Sequence, residues 1–231
     1  MEDYSGNILY KKKWVACGDS FTEGDFTGME EKDYKIKDGI YAGENMVYPY
    51  IIGNRNNMDV INMAKCGATL AESVRGDDEH VFARKKYLNV PLDADYVTFK
   101  FGINDWHQNV PIGNIDDTDA NTFYGAWNKV LLYFLENMPY AKLGIIVTNG
   151  TTADYTFATR EAAKKWGIPY LDLQADTGVP LLHRVYERPG LCKKAFDLRM
   201  QNFAVSDKNK HPNPKAHMFE STIVENFLRS L

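Results

Sequence analysis

Short runs of β-branched and aromatic residues alternate along the chain with longer stretches whose apolar residues recur at helical spacing. That alternation is the pattern of βαβ units around a parallel sheet. Residues 14–17, 60–62, 96–101, 143–148 and 169–173 read as strands. Between the third and fourth, Phe123, Trp127, Val130, Leu131 and Phe134 fall on one helical face. Residues 155–166 read as a second helix, stopped by Gly167. Pro214 suits a first helical turn, after which Ala216, Phe219, Ile223, Phe227 and Leu231 hold one face of a packing helix.

Two segments interrupt the pattern. Residues 22–45 are rich in Gly, Asp, Glu and Lys with no sustained period, and read as a polar insertion beside the first strand. A connection of that length is commonly functional or mobile. Residues 179–203 mix Leu181, Leu182, Val185 and Tyr186 with the Pro189-Gly190 break, which predicts short helices.

The length of 231 residues favours one large domain over 1–231. With 44% hydrophobic and 25% charged residues the chain can bury a sizeable core, which excludes disordered, collagenous and membrane-bundle classes. A net charge of −4 offers no diffuse cationic field, so sequence-independent nucleic-acid binding is not expected. Cys17, Cys66 and Cys192 are odd in number and widely spaced, which predicts buried thiols instead of a disulfide framework or a metal pair. No paired His and carboxylate stand at metal spacing, so neither metal nor other cofactor is expected. The opening MEDYSGNILYKKKW has lysines but no apolar run behind them, and nowhere does the sequence approach the roughly 20 apolar residues of a membrane helix. The chain as given reads as cytoplasmic, or as secreted or periplasmic if a signal peptide has been removed.

Candidate chemistry gathers where the predicted strands end. The first runs into Gly18-Asp19-Ser20-Phe21-Thr22-Glu23-Gly24, placing Ser20 just past its carboxyl end, where open α/β sheets bind ligands. Taken alone this is an ordinary turn composition. After the second strand comes Asn62-Met63-Ala64-Lys65-Cys66-Gly67, after the third Gly102-Ile103-Asn104-Asp105, and near the other end His211-Pro212-Asn213. Gly67 alone reads as a turn glycine, Asn104-Asp105 as a helix cap and His211 as a surface residue. Together, over about 14–217, the blocks resemble the GDSL or SGNH hydrolase family.

The resemblance implies a three-layer α/β/α domain, flavodoxin-like, with five parallel strands in the order 2-1-3-4-5. It implies Ser20 as nucleophile, His211 as its base, and an oxyanion hole built from the N–H groups of Ser20 and Gly67 and the side-chain amide of Asn104. Elementary chemistry agrees with these roles. Acyl transfer needs a nucleophile, a base for its proton and donors for the developing oxyanion. Glycine admits close approach of a ligand, and an asparagine amide donates without charge.

One departure stands out. The family places its acid three residues before the histidine, and here that position is Lys208. Asp207, four residues before, is the expected orienting carboxylate, with a main-chain carbonyl and a Ser-His dyad as the alternative. His107 is read as a rim residue, Asp19 as structural, and Lys100 as an ion-paired or snorkelling side chain. The expected partner is a small-molecule or glycan ester, with O-deacetylation of a carbohydrate favoured by Tyr34, Tyr41, Tyr48 and Trp106 around a polar segment. Lipase, lysophospholipase or thioesterase activity, acyl transfer, and non-hydrolytic binding on the same scaffold are the alternatives.

Overall fold

The computed structural model describes residues 6–74, 76–173 and 193–231. Five strands, β1 (Lys13–Gly18), β2 (Asp59–Asn62), β3 (Tyr96–Lys100), β4 (Lys142–Val147) and β5 (Tyr170–Asp172), form one sheet in the order β2-β1-β3-β4-β5. Every pairing is parallel. All residues of β3 and all but the first of β1 are buried, because helices cover both faces of the sheet. This is why the central strands read as largely apolar runs, with Thr98 and Lys100 the polar residues of β3.

One face packs against α5 (Phe123–Asn137) and α6 (Ala153–Trp166), where Phe99, Trp127 and Phe134 lie in one cluster with Val97 and Ile145. The other face holds Trp14, Ile52, Ile146, Val224 and Leu228, contributed in part by α3 (Tyr48–Asn56) and α8 (Pro214–Ser230). Helix α3 is not apparent in the apolar pattern. Pro49 starts it and Asn57, in the left-handed conformation, ends it. Gly53 lets it approach the sheet, since a Cβ there would stand 2.6 Å from the Tyr41 ring and 2.7 Å from Val60.

The polar insertion contains the short α2 (Glu31–Tyr34) and is anchored. Phe26 stacks on Tyr34 at 4.8 Å, and Tyr41 Oη donates to the Met58 carbonyl at 2.8 Å. Of the expected helices in 179–203, the stretch 193–203 is α7 (Lys193–Phe203), while His183, Cys192 and the Pro189-Gly190 break lie outside the described residues. Lys100 is fully buried and ion-paired, its Nζ 2.5 Å from Glu220 Oε1 on α8.

β1 lies between β2 and β3, so the chain reverses its direction of travel across the sheet at β1 and β3. A crevice opens outside the carboxyl ends of strands at such a switch point. The segments leaving β1, β2 and β3 all emerge there.

Candidate active site

Asp19 caps the single-turn α1 (Ser20–Glu23), accepting the Phe21 N–H at 2.9 Å. The turn from strand to helix is tight: a Cβ on Gly18 would meet Thr22 Oγ1 at 2.6 Å and the Lys100 carbonyl at 3.0 Å. Glycine is therefore required before the Asp19 cap, and Ser20 is left at the start of the helix with 5% of its surface exposed. Burial pushes the Asp19 carboxyl up to about 6.

The loop before α8 brings His211 to Ser20, with His211 Nε2 2.8 Å from Ser20 Oγ. Pro212 restricts the residue before it to extended backbone. The Val205 N–H donates to the His211 carbonyl at 2.9 Å, and Asn213 caps α8 by accepting from the N–H groups of Lys215 and Ala216 at 3.0 and 3.1 Å. Phe21 meets the imidazole edge-on, its centroid 5.5 Å away. Burial lowers the His211 pKa below its ordinary 6.5, against the opposing pull of Asp25. Burial thus favours the uncharged ring.

The other ring nitrogen does not face Asp207. His211 Nδ1 lies 2.7 Å from Asn209 Oδ1 and 3.6 Å from Asp25 Oδ2. Asp207 is exposed and bonds to no other described residue. The turn explains this correction. Ser206 N–H donates to the Asn209 carbonyl at 2.9 Å and Asn209 N–H to Ser206 Oγ at 3.0 Å, so Asp207 and Lys208 occupy the two central, outward-facing positions. No bulge brings the carboxylate back, and a side-chain amide stands where the alternative put a main-chain carbonyl.

On the opposite side, the segment after β2 is stitched to β1 by the Lys65 N–H, which donates to the Gly18 carbonyl at 3.0 Å. Gly67 has φ +78°, a conformation that favours glycine. Asn104 opens toward the crevice from α4 (Ile103–His107), its Nδ2 donating to the Ala68 carbonyl at 2.9 Å. A primary amide has two N–H bonds, so one remains for a ligand. The backbone N–H groups of Ser20 and Gly67 donate to no described group.

Asp105, read from sequence as part of a cap, proves to join these segments. It is fully buried and accepts from the N–H groups of Leu70, at 3.0 and 3.1 Å, and Ala71, at 3.0 Å. Burial pushes its carboxyl up to about 7, against the backbone donors that favour the carboxylate. Asp105→Ala strands both donors, each at roughly 1–3 kcal/mol. The urea midpoint should fall by an equivalent of about 2–6 kcal/mol with the m-value unchanged.

Ser20, His211, Asn104 and Asn209 line one open cleft of about 920 Å³. Asp25, Thr27 and Gly28 of the polar insertion form part of its wall, with Phe21, Ile103 and Trp106 as its apolar surface. His107 is exposed at the rim, its ring tilted at 36° to Trp106 with the centroids 4.5 Å apart. Cys17 is buried and Cys66 half-buried, and burial pushes both thiols up, away from thiolate chemistry. Among the described residues, no group of three or more His, Cys, Asp or Glu is arranged to hold a metal. Nor is any described helix long and apolar enough to cross a membrane.

The family model for GDSL-like lipases and acylhydrolases matches residues 16–218. The chain belongs to this family. Its members are hydrolases by description, and the fold seen here is similar to that of solved GDSL-like structures. A Lactobacillus plantarum protein is 23% identical over 96% of this chain and 98% of its own, with a TM-score of 0.71. A candidate GDSL-like lipase from Bacteroides ovatus gives 16% identity over 95% and 99%, with a TM-score of 0.66. An active-site mutant of a family two carbohydrate esterase from Clostridium thermocellum gives 14% over 96% of this chain and 64% of its own, at 0.58. No curated protein matches the chain. The residues matched to this GDSL-like family include Ser20, Gly67, Asn104 and His211, and position 208 is a lysine.

Proposed function

We propose that the protein is a serine carboxylic ester hydrolase that removes a small acyl group, most readily acetyl, from a carbohydrate. The observation that carries this reading is the 2.8 Å contact from His211 Nε2 to Ser20 Oγ, with the far ring nitrogen held by Asn209. That hydrogen bond on Nδ1 fixes the tautomer whose Nε2 accepts a proton.

Ser20 Oγ attacks the ester carbonyl carbon as His211 Nε2 takes its proton. The carbonyl oxygen becomes an oxyanion that the N–H groups of Ser20 and Gly67 and the free N–H of Asn104 stabilise. Collapse breaks the bond to the alcohol, which leaves with the proton from His211, and an acyl-Ser20 remains. Water, deprotonated by His211, then releases the acid by the reverse sequence.

Support for a polar acyl carrier comes from one side of the cleft. Its insertion-derived wall presents Asp25, Thr27 and Gly28, and Trp106 supplies an aromatic face beside them.

The test uses p-nitrophenyl acetate together with acetylated xylo-oligosaccharides and p-nitrophenyl esters of increasing chain length. A burst of p-nitrophenol, acetate release from the oligosaccharides and falling kcat/KM with chain length are expected. The absence of both a burst and any steady release of p-nitrophenol or acetate would assign the scaffold to binding. A preference for long chains would assign it to lipase-type hydrolysis, and acetyl appearing on an added alcohol in place of free acetate would make it a transferase.

A further inference from the structure

The family's four blocks leave the imidazole of this chain without an acid, and the structure fills that place from two segments far apart in sequence. Asn209 Oδ1 accepts from the His211 backbone N–H at 3.1 Å and stands 2.7 Å from Nδ1. Asn209 Nδ2 points the other way, toward the Asp25 carbonyl and Oδ1, both at 3.3 Å, and the Thr27 carbonyl at 3.2 Å. One side of the amide meets only donors and the other only acceptors, so its orientation is determined, and with it the Nδ1–H tautomer of His211.

We infer that Asn209 and Asp25 jointly replace the missing acid: Asn209 orients His211, and the Asp25 carboxylate behind it stabilises the imidazolium formed when Ser20 gives up its proton. The inference rests on the esterase reading. An amide oxygen is a weaker acceptor than a carboxylate. Donating from its nitrogen to the anionic Asp25 polarises the amide and strengthens its oxygen toward Nδ1. Asp25 is also only 3.6 Å from Nδ1 and half-buried, so its charge is incompletely screened. Burial opposes its ionisation, but hydrogen bonds from the Thr27 side chain and backbone, the nearby His211 and Asn209 outweigh it and hold its carboxyl below the usual range.

The other titratable groups around His211 do not serve. His217 on α8 is buried and pushed down to about 3, chiefly by burial, so it stays neutral. Lys208 and Lys210 on the same loop are exposed and of the wrong sign, and Asp207 faces outward between them and Ser206. Both Asn209 and Asp25 are positioning residues, since neither touches the reacting atoms.

The experiment follows the imidazole itself as well as turnover. The His211 ring is titrated by 15N-edited NMR, assigned by its loss in His211→Gln, and the pH profile of kcat/KM is recorded with p-nitrophenyl acetate. Asp25→Asn should move the His211 pKa and the acid limb of the profile to lower pH, since Asp25 favours the charged ring. It should lower kcat about 10- to 100-fold, within the range of acid–base contributions, with KM changed less than about twofold. Asn209→Ala should lower kcat similarly and remove the protected Nδ1–H resonance. Asn209→Asp should restore that resonance and move the limb to higher pH. Asp207→Asn should change nothing.

Unchanged titration and kcat in both Asp25→Asn and Asn209→Ala, with thermal midpoints like wild type, would overturn the assignment. So would a shift of the limb in Asp207→Asn. If no ester is turned over, the esterase reading fails while the NMR titration still tests whether Asp25 and Asn209 govern the ring.

Discussion

Ser20→Ala lowers kcat for ester hydrolysis by about 10^6 and leaves the unfolding midpoint near that of wild type, the loss seen when the nucleophile of another serine hydrolase is removed. The size follows from the chemistry. The methyl group can neither attack nor pass a proton, and His211 is left beside a group with nothing to transfer. The change is mild for the fold, because the Ser20 side chain engages His211 alone and α1 is capped by Asp19, not by Ser20. The measurement pairs steady-state kinetics with mass spectrometry after fluorophosphonate treatment, where wild type gains one adduct on Ser20 and the variant none. Residual activity above about a hundredth of wild type would place the nucleophile elsewhere and remove the 2.8 Å contact as the basis of the reading.

Asn104→Ala lowers kcat by roughly 10^2 to 10^3, equivalent to about 2.7–4 kcal/mol, with a smaller change in KM. The amide is already half-committed: the bond to the Ala68 carbonyl fixes its plane, so the second N–H is aimed before substrate arrives. Preorganisation of this kind acts on the oxyanion more than on the neutral carbonyl, which is why kcat carries the loss. Asn104→Asp should be at least as damaging, because it presents a carboxylate oxygen to a developing negative charge and loses the donor to Ala68. A variant altered in KM alone would make Asn104 a substrate-binding group instead of an oxyanion donor.

The strands were legible because β1 and β3 are covered on both faces and most of their buried residues are apolar, Thr98 and Lys100 excepted, a signal that survives without knowledge of neighbours. α3 was not, since Tyr50, Ile51 and Ile52 favour strands locally and only docking against Met58, Val60 and α8 makes the segment helical. The meeting of Ser20 and His211 could be read because each stands in a local motif. Asn209 and Asp25 could not, because their contact spans 184 residues and joins a polar insertion to a loop with no shared spacing. A local clue to Asn209 existed in its place two residues before His211, where an Asn side chain commonly caps the following backbone N–H. Asp105 was seen but read as a cap, since its true partners, Leu70 and Ala71, lie 35 and 34 residues away.

The contact between Ser20 and His211 closes a span of 191 residues, and the Asn209 bridge to Asp25 closes nearly the same one. The pairings of β1 with β2 and of β3 with β4 close much shorter loops. Loop-closure entropy grows with span, so bringing the proton-transfer pair together costs the chain more entropy than either strand pairing. Hydrolytic competence is in this sense a property of the longest closure, not of the strand pairings alone. A chain with its secondary structure formed and α8 undocked would have a nucleophile and no base, and its regained activity would be a stricter clock of native-state arrival than any measure of helix or strand content.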